Sequence, residues 1–305
     1  MFIQPASTFA ARLAVRSTRS GAAFIRARGD GFLTLDQIRA RVPSIFAEAP
    51  HESRSAKFTH IPTSAVLEGL MREGFVPVEA SQGGSRQEGK ADFTKHAIRL
   101  RLQDNAPAIV GRGDELYPEI MLMNAHDGTS AYKLIPAAYR VLCANGLVSS
   151  TSLGEQKVPH KGDVVREVIE GAFSVVKTLP QVVETAQAWS GIRLEQRAQV
   201  ALADAVAALR WEPQEVGEQI VPTAPVRAEQ LLQAKRPGDT GNDLWLTFNR
   251  LQEGVMKGGQ SYHTRNDKGQ VTGTRKVRPI NGVDDTRRIN QAMWLLTERM
   301  AAMVG

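Results

Sequence analysis

The chain has 305 residues, 42% of them hydrophobic and 23% charged, with one cysteine and a formal net charge of +6. That length buries a full core without external staples, the lone Cys143 excludes an internal disulfide and any paired-cysteine zinc set, and no apolar run approaches the roughly 18 residues of a membrane span. The expectation is a soluble protein of a reducing, cytoplasmic setting, with no cofactor and no membrane partner.

Positive charge is gathered in two tracts. Residues 1–29 hold Arg12, Arg16, Arg19, Arg26 and Arg28 with no acid, and residues 257–288 hold Lys257, Arg265, Lys268, Arg275, Lys276, Arg278, Arg287 and Arg288 against Asp267, Asp284 and Asp285. The remainder is mildly acidic, a pattern suited to a polyanionic partner, although solvated surface loops would show it too. The first tract reads as an untethered basic arm over 1–30, and the transit-peptide reading of an Arg- and Ser-rich start stands beside it.

In chain order, FLTLDQIRARVPSIF (32–46) predicts a helix capped by Thr34 and stopped by Pro43, and TSAVLEGLMREGF (63–75) a second one with Gly74 at its end. FVPVEA (75–80) is a short strand. HAIRLRLQ (96–103) alternates, placing Arg99 and Arg101 on an open face and Ile98, Leu100 and Leu102 on a buried one. EIMLMNA (119–125) is a third strand. Within AHDGTSAYKLIPAAYRVLCANGLV (125–148), Asp127-Gly128 gives a turn, Thr129 or Ser130 caps a helix with Ala131, Leu134, Ile135, Ala138 and Leu142 inside, and Asn145-Gly146 ends it. Lys133, Ala137 and Arg140 then share one helical stripe, and Cys143 is a core residue.

The second half is mostly helical: 163–179, 181–189 and 194–211, a proline-rich linker over 212–243 with one short helix, then 243–256 and 289–300. Between the last two, the basic loop 257–288 carries Gly258-Gly259 and Asn281-Gly282 and is expected to form a hairpin that takes Lys276 and Arg278 outward. Trp245 and Trp294 read as core. The fold expected is α+β: a small antiparallel sheet in a β-β-β-α core with helices on one face, followed by a helical C-terminal region, divided as arm 1–30, core 31–155 and helical region 156–305.

Catalytic motifs are absent: there is no GxxxxGK[ST], GxSxG or HExxH. His126 and Asp127 are neighbours, which on a strand point to opposite faces. Glu88-Gly89-Lys90 near Asp92 is a faint nuclease-like set.

The segments PSIFAEAPHESRSAKFTHIPTSAVLEGLMREGF, HDGTSAYKLIPAAYRVLCANGL, NDLWLTFNRLQEGVMKGG and TRKVRPINGVDDTRRINQAMWLL resemble the phage/plasmid-like protein family of prophages and plasmids, the domain of unknown function 932 family. That resemblance implies a mobile-element context in a bacterial host cell and no particular mechanism. By architecture alone, the predicted helix, three strands and basic helix are also similar to phage single-strand annealing recombinases, whose groove between hairpin and helix holds DNA in rings or filaments. The matching positions are Arg99, Arg101, Lys133 and Arg140.

The leading expectation is therefore a non-enzymatic, homo-oligomeric protein that binds DNA, single-stranded by preference, for annealing in phage or plasmid recombination. Arg99, Arg101, Lys133, Arg140, Arg275, Lys276 and Arg278 would hold phosphates. The alternatives are an interaction protein of the mobile element, directed at host defence or another partner, and a metal-dependent nuclease built on Asp92, Glu119 and Asp127.

Overall fold

A computed structural model describes residues 14–17, 22–28, 31–51, 60–85, 87, 89–104, 106–142, 145–149, 153–266 and 268–305. Arg12, Arg19, Glu88, Cys143 and Asp267 lie outside these described residues, as does the side chain of Arg16. The chain forms two compact units and passes between them repeatedly: Met1–Gln103, Leu122–Tyr132 and Pro159–Ile169 make the first, and Asp104–Met121, Lys133–Val158 and Glu170–Gly305 the second.

In the first unit, β1 (Ala14–Ser17), β2 (Ala23–Arg26), β3 (Phe75–Gln82) and β4 (His96–Leu102) pair antiparallel in that order. Most of the described part of the tract expected to be an untethered arm is thus sheet, and Arg26 forms an ion pair with Glu79 of β3 at 2.8 Å. Pro77 cannot donate to a ladder, and the β3–β4 register shifts immediately after it. Helix α1 (Leu35–Arg39) opens with a capping box in which the Thr34 hydroxyl accepts from Gln37 N and the Gln37 amide oxygen accepts from Thr34 N. The helix ends at Arg39, ahead of the expected stop at Pro43, where a 3₁₀ turn over Pro43–Phe46 follows. Helix α2 (Thr63–Arg72) matches its prediction, with Gly74 at φ 86° beyond its end.

Strand β6 (Asp114–Asn124) runs through both units, and in the second its first residues pair with β5 (Ala108–Val110). The segment expected to be a basic helix is strand β7 (Tyr132–Arg140), paired with β8 (Asn145–Val148). Pro136 is the physical reason: in mid-helix it would remove a hydrogen bond and clash with the preceding turn. As a strand, Tyr132–Arg140 is buried on both faces apart from Lys133, which is why its apolar residues follow no single period. Strand β9 (Gln156–Val158) also pairs with β7. Among the described residues these strands form one sheet of nine in the order β1-β2-β3-β4-β6-β7-β8, with β5 beside β6 and β9 beside β7. The α+β class holds, with a larger sheet than expected.

Helix α3 (Val164–Val176) is followed by α4 (Leu179–Gly191) and α5 (Gln196–Arg210), close to the predicted spans. The linker holds a hairpin of β10 (Gln214–Val216) and β11 (Gln219–Val221) and the short helix α6 (Ala228–Leu232). Helix α7 (Leu244–Lys257) starts where the Asp243 carboxylate accepts from Leu246 N at 2.8 Å. It is buried on nearly every side, and Trp189, Phe248 and Trp294 pack ring on ring at 4.7–5.8 Å around it. Trp245 and Trp294 are core residues, as expected. A hairpin of β12 (Ser261–Arg265) and β13 (Val271–Lys276) precedes the last helix, α8 (Val283–Val304), which buries Ile289, Met293, Trp294 and Thr297.

Candidate functional site

The seven cations expected to bind phosphate fall into three environments. Arg99 and Arg101 sit in β4, whose first six residues are all buried, and they are only 2% and 5% exposed. The open face expected for this strand is therefore covered. Arg99 stands opposite Glu79 in the β3–β4 register.

Lys133 and Arg140 do not share a stripe, because an odd spacing on a strand sends side chains to opposite faces. Lys133 is 3.6 Å from Glu155. Arg140 is 1% exposed and donates through Nε to Asp114 at 2.5 Å and through Nη1 to Asp239 at 2.6 Å. The network continues: Trp245 Nε1 donates to the same Asp114 oxygen, Arg236 reaches Asp239, and Arg236 grips Glu253 with a two-pronged pair at 2.6 and 2.7 Å. These partners hold the Glu253 carboxyl below its ordinary range: burial alone would raise it, but the Arg236 hydrogen bonds and the nearby Lys257, Arg236 and Lys235 charges outweigh that. Arg140 is thus a structural ion, held by carboxylates inside the second unit.

Arg275, Lys276 and Arg278 are exposed on the β12–β13 ribbon and its exit. Tyr262 faces Arg275 across the strands and Ser261 faces Lys276, so the two cations lie on opposite faces of the ribbon. Arg265 and Lys268 add charge toward the tip, where Asn266 N donates to Gln270 O and the Asn266 side chain accepts from Lys268 N and Gln270 N. The base is fixed. Gly258 and Gly259 adopt φ of 65° and 94°, Gly259 N donates to Val277 O, and Val277 N donates to Gln260 O. Arg210 ties the ribbon to α7 by donating to Val255 O and to Arg278 O.

Sequence reasoning missed a second cluster, built from element ends in the first unit. Thr63, the first residue of α2, receives a hydrogen bond from Asn124 Nδ2 at 3.0 Å, and its hydroxyl lies 2.9 Å from His96 Nε2, 3.2 Å from His126 Nε2 and 3.3 Å from Tyr132 OH. The His60 ring lies 4.7 Å from the His126 ring at a tilt of 58°, and His160 stands 5.1 Å from Tyr132.

Backbone partners fix the tautomers. His96 Nδ1 faces Thr94 O, and a carbonyl only accepts, so Nδ1 carries the proton and Nε2 is an acceptor for the Thr63 hydroxyl. Thr63 has then spent its proton, so His126 Nε2 must donate to it. By the same reasoning His60 Nε2 donates to Ala47 O and His160 Nε2 to Ser130 O.

Burial keeps all four rings neutral: it drives His96 down to about 4 and His126 to about 2, the latter helped by the neighbouring histidines, and it lowers His60 and His160 as well. Burial also raises Tyr132, whose hydroxyl donates to Ile61 O. Beside the cluster, burial would raise Asp127, but hydrogen bonds from Thr129 and the Lys90 ammonium at 3.5 Å hold it lower. Among the described residues no three His, Cys, Asp or Glu side chains are grouped to hold a metal ion, so the carboxylate trio Asp92, Glu119 and Asp127 is not assembled.

The family described as "Domain of unknown function (DUF932)" matches residues 50–294. The chain belongs to the DUF932 family. Two Escherichia coli K12 proteins are similar to it, each over 284 residues that take in 93% of this chain and 97% of the relative: UPF0380 protein YafZ at 43% identity and UPF0380 protein YfjQ at 42%. No solved structure matches significantly. Both the ribbon and the histidine cluster fall within the DUF932 match.

Proposed function

We propose that this DUF932 protein binds nucleic acid without catalysing a reaction, gripping the phosphate backbone through the β12–β13 ribbon in the service of a mobile element. The observation that carries this reading is the exposure of Arg265, Lys268, Arg275, Lys276 and Arg278 on a two-stranded ribbon whose base is clamped by Arg210 and the Gly258-Gly259 turn. A two-stranded antiparallel ribbon has the width of the duplex major groove, and cations on both of its faces reach the phosphates that flank a groove. Rings are scarce, at 6% of the chain, so affinity rests on charge and not on base stacking.

The annealing-type groove expected from Arg99, Arg101, Lys133 and Arg140 lends no support, because the helix meant to line it is a strand and three of those cations are buried. Single-strand annealing and ring or filament assembly remain as readings to be separated by the same experiment. Fluorescence anisotropy with labelled single-stranded and duplex oligonucleotides is the test, run on the full chain and on a variant with Arg275, Lys276 and Arg278 changed to alanine. Binding that weakens in the triple variant supports the ribbon; tight binding unaffected by it overturns this assignment.

A further inference from the structure

We propose that His60 and His126, through their Nδ1 atoms, form a binding site for a divalent transition-metal ion of the zinc and cobalt type. Three observations carry this. First, the tautomers set by Ala47 O and Thr63 leave Nδ1 of both rings as bare lone pairs, and both atoms, together with Asn124 Oδ1, are buried without a hydrogen-bond partner. His126 and Asn124 are fully buried, so bulk water does not meet these acceptors. Buried acceptors that receive no donor from the protein call for a bound group, and a cation is one that imidazole lone pairs can hold.

Second, each ring donates its other nitrogen to a protein oxygen, the arrangement that orients metal-binding histidines and raises their basicity. Third, two imidazoles on one tetrahedral ion, at about 2.0–2.1 Å per bond, stand with ring centres about 5 Å apart. The His60 and His126 centroids are 4.7 Å apart.

The neighbouring rings are uncharged: His96 keeps both nitrogens engaged, and His160 gives Nε2–H to Ser130 O. Asp127, on the same turn, is the nearby carboxylate and is paired with Lys90. Imidazole nitrogen selects borderline ions over calcium or magnesium.

The test uses the full chain without a polyhistidine tag, stripped with a chelator and titrated with zinc chloride by calorimetry at neutral pH. One ion per chain is expected, with affinity falling more than about tenfold in His60→Gln and in His126→Gln. Cobalt should give a visible spectrum of a nitrogen-ligated, low-symmetry ion. Failure of the unaltered chain to bind zinc, or folded variants that bind as it does, overturns the site; should both variants fail to fold, an aquo-like cobalt spectrum of the unaltered chain overturns it instead.

Discussion

Arg140 shows how one residue's role turns on its neighbours. At the surface of a helix its charge would serve a polyanion; at the end of β7 it is the cation between Asp114 and Asp239. Removing one partner of a buried pair leaves the others uncompensated, which typically costs about 3–5 kcal/mol. Arg140→Met is therefore expected to lower the unfolding free energy by that amount in urea denaturation, and a loss below about 1 kcal/mol would show that the network does not carry stability. Glu253 gives the matching pH dependence. Its folded-state carboxyl titrates below the ordinary 4.5, so its stabilisation is complete above that value and fades as pH falls through the lower one. The unaltered chain should exceed Glu253→Gln by about 2 kcal/mol near neutrality and converge with it in acid, measured as unfolding free energy against pH.

Elements whose cause is local were legible in the sequence. The Thr34 cap and the amphipathic patterns of α2, α5 and α7 placed helices close to where they lie, whereas α8 starts at Val283, inside the stretch expected to be basic loop. The hairpin in the basic loop was expected too, although its turn is at Asn266–Gln270, while Gly258-Gly259 bends the chain into it and Gly282 precedes α8. Residues 132–140 were misjudged because a strand buried on both faces loses its period of two, and apolar spacings of three and four then arise by chance; Pro136 was the signal that should have decided the matter. Burial of Arg99 was invisible for a related reason, since alternation identifies a strand and not what covers its polar face.

At the ribbon's base, a Cβ on Gly258 would lie 2.5 Å from Val277 O at a φ of 65°. Gly258→Ala should therefore destabilise by more than about 1 kcal/mol and loosen the ribbon, seen as faster proteolysis within residues 259–276. An alanine variant as stable and protease-resistant as the parent would contradict the clamp.

For the molecule as a whole, the sequence identified the α+β class and the family, and it located the exposed cations of the ribbon. It could not reveal the histidine cluster, because His60, His96, His126 and His160 come from four separate stretches with no motif spacing and meet only through the ends of α2, β4, β6 and β7. Composition likewise reported total charge, not which cations are spent on carboxylates. In the structure Arg26, Arg140 and Arg236 are so spent, whereas the exposed ribbon concentrates Arg275, Lys276 and Arg278 in one short stretch.

The central claim is that this stretch engages phosphates, and counterion release makes it measurable: each phosphate neutralised on a duplex adds about 0.9 to the slope of log affinity against log salt. The most direct measurement is anisotropy of the full chain on labelled duplex from about 50 to 500 mM salt, beside the variant lacking Arg275, Lys276 and Arg278. The account predicts an affinity loss on the order of a thousandfold or more across that range, with the variant's slope shallower by about 3. Equal slopes for the two proteins, or no binding at the lowest salt, would contradict it.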